Sequence, residues 1–302
     1  MIKNRNIASD AGIDVTKIIG SDVGEVRYVC RENTNSHAML RGRVSPSMLY
    51  TCDGTADEVQ INQAITASKG GTNSYIYVFP GAYTLAAAIT FAGKSSMHLI
   101  GANGLNRTVG TNGAVALTQG GSCVGITMEA YGEVAGLQII NKAGYAAIDV
   151  PANIWRTNIH HNTFWMTQGS ACYIVAVGSA ASYGNISYNR FSTGTGGDFT
   201  AVIGSSTGTG IDIIGNHITI VSGTVTYGIL AQGAQCMVAD NYISTCGSLC
   251  TITHAIDILT SGAAVNNRCA VATTLGINGG TASVSFVDNR DGASGGASAI
   301  TT

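Results

Sequence analysis

The chain has 302 residues, 40 of them Gly and only 3 Pro, with 11% charged and a formal net charge of −2. That balance gives no electrostatic case for nucleic acid as a partner, and no run of 18 apolar residues offers a membrane span. So few charges also leave an unusually neutral surface.

Residues 1–48 stand apart. They hold seven of the fifteen Lys and Arg (Lys3, Arg5, Lys17, Arg27, Arg31, Arg41 and Arg43), together with five acids. With little apolar periodicity, the segment reads as an extended N-terminal arm, too short and polar to bury a core of its own. Such an arm is either a flexible tail or becomes ordered by lying on a partner, and the second is the expectation here. The first twenty residues have no apolar stretch, so no secretory signal is visible.

A helix is predicted at about 55–68. Val59, Ile61, Ala64 and Ile65 share its apolar stripe, Thr55 or Asp57 is its N-cap, and Gly70 and Gly71 stop it. Strands follow at 75–79, 83–85, 89–91 and 97–101. A helix ahead of stacked strands is placed to cover their open end.

From residue 159 onward the chain repeats. Asn162, Asn189, Asn216, Asn241, Asn267 and Asn289 follow one another at steps of 27, 27, 25, 26 and 22. Three positions before each sits Ile159, Ile186, Ile213, Val238, Ala264 or Phe286; two positions after come Phe164, Phe191, Ile218, Ile243 and Cys269, until Asp291 breaks the pattern. A second ladder, Ile148, Ile174, Val202, Ile229, Ile256 and Ile277, runs half a unit away. Periods of 20 to 50 residues mark stacked repeats, and apolar residues two apart mark strands. The unit is therefore one coil of a parallel β-helix. The ladder Asn is expected at a tight turn, in left-handed geometry, bonding backbone and the Asn one coil away. Eight or nine coils make a rod roughly 40 Å tall.

The stretch Asp53-Gly-Thr-Ala-Asp-Glu-Val-Gln-Ile-Asn-Gln-Ala-Ile65, then Tyr77-Val-Phe-Pro-Gly-Ala-Tyr83 and Leu99-Ile-Gly-Ala102, resembles the opening of pectate-lyase-type right-handed β-helices. That opening is common in bacteriophage tailspikes and other virion proteins, and the Asn coils are similar to the same superfamily. The arm is similar to the N-termini of phage structural proteins. The resemblance implies an all-β, single-stranded, right-handed parallel β-helix over 49–290. Residues 1–48 would be the attachment arm and 291–302 a Gly/Ser-rich tail.

Chemistry is sparse. A sugar-cutting β-helix needs clustered carboxylates on its outer face. Registered against the ladder, Asp212 stacks over Asn185 and Asn158 with Met237 beyond it, while Asp240 lies between Gly215 and Asn266. Asp149 and Asp257 share a position four coils apart. No adjacent-coil carboxylate pair emerges, and Asp198 with Asp212 is the one acid pair an enzyme would use. No Lys or Arg occurs from Phe191 to Asn267. His160 and His161, beside Arg156, have no carboxylate positioned by the sequence and are read as surface and turn residues. Of the eight cysteines, Cys236 and Cys269 fall inward as small apolar residues. Cys246 and Cys250 near His254 fall short of the four ligands a structural zinc needs. No metal or cofactor is expected, and free thiols suit assembly in a reducing host cytoplasm.

A neutral wall suits contact between copies. Phage β-helices commonly associate as trimers, so the resemblance implies a homotrimer. The expectation is a non-enzymatic virion protein, a trimeric capsid cement or decoration protein whose arm grips the major capsid protein. The alternative is a tailspike-type depolymerase with a host surface glycan as partner.

Overall fold

The computed structural model describes residues 25–32, 34–102, 114–120, 123–141, 144–166, 170–194, 198–246, 250–270, 273–279, 284–291 and 300–301. Among them, parallel strands stack into three sheets, one of eleven strands and two of nine. A typical coil runs Asn158–His160 in the first sheet, Thr163–Met166 in the second and Ser170–Val177 in the third. Above the base, each strand pairs with the strand three elements on, so neighbours in space are one repeat apart in sequence.

The interior is a set of columns. Val134, Ile159, Ile186, Ile213, Val238 and Ala264 stack in the first sheet, all buried. Phe164, Phe191, Ile218, Ile243 and Cys269 stack in the second, with the two Phe rings 4.6 Å apart and nearly parallel. Both columns match the repeat in the sequence. The third differs by one residue. Its register runs Ile148, Val175, Ile203, Ile229, Ile256, Ile277, so Ile174 and Val202 are not in the ladder. Ile174 and Val175 are both in the core, and the strand Ser170–Val177 carries a local irregularity near Cys172.

The base departs from the expected arm. Val26–Arg31 is the strand between Leu49–Cys52 and Ser74–Val78 in the first sheet, with Val29 and Cys30 fully buried. It leads to helix α1 (Asn35–Arg41), whose Leu40 is buried. The segment expected to stand apart over 1–48 is therefore part of the rod at Val26–Arg31 and Asn35–Arg41. Charge misled the reading, because Arg27 and Arg31 are structural. Arg27 donates to the Ala67 carbonyl at 2.7 Å and to Ser68 Oγ at 3.1 Å, closing the C-terminus of helix α2 (Glu58–Ala67). Arg31 lies 3.3 Å from the fully buried carboxylate of Asp57.

Helix α2 covers the bottom, burying Ile61, Ala64 and Ile65, while Val59 points to solvent. It ends at Ala67, short of the two glycines, where Ser68 Oγ bonds the Ala64 carbonyl. Asp57 precedes the helix without capping it, since its carboxylate accepts from Gly54 N and Thr84 N. Glu58 and Asn62 accept from Ala86 N and Thr90 N in the same way. The helix thus satisfies edge N–H groups of the lowest strands. At the other end, Arg290–Asp291 and Ile300–Thr301 pair with the last coil, so the tail is partly strand; residues 292–299 lie outside the described residues.

Candidate functional site

Each ladder Asn sits immediately after a left-handed residue rather than being one. His161, Tyr188, Gly215, Asp240, Asn266 and Asp288 have φ between 49° and 65°. This turn swings the chain from the first sheet into the second and points the Asn side chain inward. Asn189 Nδ2 donates to the Ile159 carbonyl and to Asn216 Oδ1, and the same two bonds recur at Asn162, Asn216, Asn241 and Asn267. The ladder ends below at Leu137, whose N–H donates to Asn162 Oδ1. Its role is to hold the corner.

The corner and the first sheet's outer face carry a histidine–carboxylate cluster that sequence reasoning missed. Register places His98 beside Glu133, and the Glu133 carboxylate lies 2.5 Å from His98 Nδ1 and 2.6 Å from His160 Nε2. His160 is thus a positioned histidine, contrary to its reading as an isolated surface residue. Bonds from His160 and then His98 hold the Glu133 carboxyl down to about 2. The Tyr75 ring stacks on His98 at 4.4 Å, and burial pushes the Tyr75 hydroxyl up. His160 Nδ1 and His161 Nδ1 are 2.8 Å apart, so one of them carries the shared proton. Both Glu133 oxygens are engaged, so the carboxylate positions imidazoles and is not a free base. A signal for it existed: His160 lies 27 residues after Glu133, one repeat.

Beside this cluster, the corner opens into a hollow of about 150 Å³. It is lined by His161, Tyr188, Arg190 and His217, with the buried ladder residues Asn162 and Asn189 as its floor. The Tyr188 ring lies across Gly215, where a Cβ would come within 2.7 Å of it. Arg190, His217, Tyr242, Arg268 and Arg290 stack in one column of the second sheet, each the residue after a ladder Asn. Burial first, then Arg190, lower the His217 imidazole.

No known family profile matches the chain, and no curated protein matches its sequence. Among solved structures, one described as Geobacillus virus E2 ORF18 is similar, at 14% identity and a TM-score of 0.35. The match covers 79% of this chain and 58% of that one, so this chain spans less than two thirds of its length. So distant a likeness assigns no function.

The other expected residues fall as follows. Asp198 begins a third-sheet strand and accepts from Thr224 N, whereas Asp212 is on the first sheet, so the two are not brought together. Asp212 does stack with Asn185 and Met237, and burial raises its carboxyl. Asp240 accepts from Asn266 Nδ2. Lys3, Arg5 and Lys17 lie outside the described residues; Arg41 and Arg43 are exposed. Cys236 and Cys269 are both buried, on the inward columns. Among the described residues no three His, Cys, Asp or Glu are placed to share a metal, and no helix is long and apolar enough to cross a membrane.

Proposed function

We propose that this chain is a bacteriophage virion structural protein: a trimeric capsid cement or decoration protein, made in the host cytoplasm and displayed on the capsid surface. The observation that carries the proposal is an aromatic edge on three successive coils. Tyr131, Trp155 and Tyr183 are 46%, 54% and 60% exposed at the turn leading into the first sheet. Exposed aromatics on a weakly charged wall have the composition of a contact surface, and a closed ring of three copies is one way to cover it. Attachment to the major capsid protein falls to residues 1–24, since Arg27 and Arg31 are committed to the rod. Light scattering tests the assembly; a monomer at micromolar concentration would exclude this reading.

One observation favours a second reading, a tailspike-type protein that binds and cuts a host surface glycan. The Glu133-oriented His160 touches His161 on the wall of the hollow. Release of oligosaccharide from a host polysaccharide, lost in His160→Ala, would put that reading first.

A further inference from the structure

The hollow at the Asn corner has donors that nothing among the described residues uses. Its backbone N–H groups are spent: those of His161, Tyr188, Arg190 and His217 bond Ser187, Ile214, Asn162 and Asn189 carbonyls. The floor amides of Asn162 and Asn189 are spent on the ladder. What remains is the Arg190 guanidinium, exposed and without a hydrogen bond or ion pair among the described residues. Beside it the His217 imidazole has only an edge contact with the Tyr242 ring, at 4.9 Å. Among the described residues no carboxylate lines the hollow. The acid one coil above on the same corner, Asp240, is already bonded by Asn266 at 2.6 Å.

A lone guanidinium next to an imidazole, walled by an aromatic ring, is a cationic site awaiting an anion, because Arg donors match oxyanion geometry. We propose that this hollow is an oxyanion-binding site, in which Arg190 and His217 hold a phosphate or carboxylate group against the Tyr188 ring. Gly215 makes the room: its φ of +65° and the Tyr188 ring across it leave no space for a side chain.

Binding is coupled to protons. The groups facing His217 are Arg190 one coil below, Tyr242 one coil above, and Tyr188 and His161 across the hollow. A bound anion favours the imidazolium, so affinity rises as pH falls through the His217 titration.

The test is a titration of the full chain with inorganic phosphate and, separately, acetate, following the histidine ring resonances by NMR. A saturable shift of His217 with a Kd on the order of 1 mM is expected, tightening at lower pH with acetate, whose own charge is constant across the imidazole range. Arg190→Gln is expected to weaken it about tenfold or more, with the rod's melting unchanged. The tighter of the two anions identifies the source. If neither anion saturates, or if Arg190→Gln binds as the native chain does, the proposal is wrong. His217→Asn, followed on the His161 ring with acetate as the probe, provides a second check, since it is expected to remove the pH dependence while Arg190 retains residual binding.

Discussion

The Asn189 side-chain oxygen accepts two hydrogen bonds from Asn162 one coil below, from the backbone N–H at 3.0 Å and from Nδ2 at 3.1 Å. Asn189 Nδ2 in turn donates to Ile159 O and Asn216 Oδ1. One side chain therefore closes four contacts in a buried corner. Asn189→Ala strands several polar groups, each costing about 1–3 kcal/mol. A loss of at least about 3 kcal/mol is expected from urea unfolding. Asn289→Ala, at the part-buried top of the ladder, is expected to lose less. Equal losses would refute the burial argument.

The base makes deletions asymmetric. Removing residues 1–24 is expected to leave the melting temperature unchanged while abolishing capsid attachment. Removing residues 1–31 takes out the strand between Leu49–Cys52 and Ser74–Val78 and leaves the Asp57 charge unpaired in the core. That deletion is expected to expose 49–67 to limited proteolysis. A resistant fragment would contradict the placement of Val26–Arg31.

Glu133 gives a signed pH effect. Its folded carboxyl titrates near 2, against an ordinary 4.5. The stabilisation is fully present above the unfolded value and is lost as pH falls from about 4.5 toward 2. It is worth up to about 3 kcal/mol, reduced by the screening its partial exposure allows. Glu133→Gln is expected to flatten the stability profile in that window. An unchanged acid limb would mean that the two imidazoles do not hold the carboxylate.

The aromatic edge predicts the oligomer. Trp155→Ser with Tyr183→Ser is expected to convert trimer to monomer in light scattering, with circular dichroism unchanged, because both residues are more than half exposed. Trimers that persist in the double variant would move the interface elsewhere.

The coil architecture was legible because it is periodic. Ile159, Ile186 and Ile213 announce their column at a fixed spacing, and a strand's period of two puts them all inward. The same spacing placed Asp212 over Asn185 and Asp240 beside Asn266 correctly. Where periodicity fails, so did the reading. The third-sheet pairings Ile148 to Val175, Val175 to Ile203 and Ile203 to Ile229 are unequally spaced, and the helix N-cap lost its carboxylate to Gly54 and Thr84.

The sequence by itself determined that this chain winds into stacked parallel coils with an Asn at each corner, since both follow from local spacing. Only the tertiary structure decided that Val26–Arg31 is a strand of the rod, that Glu133 joins His98 to His160, and that Arg190 and His217 share a hollow with Tyr188. Those relationships join residues about 20 to 50 positions apart, and a charged or polar side chain looks the same in sequence whether it meets water or a partner. Pairing across coils supplies that difference, because it brings side chains within bonding distance along a direction the linear chain does not record.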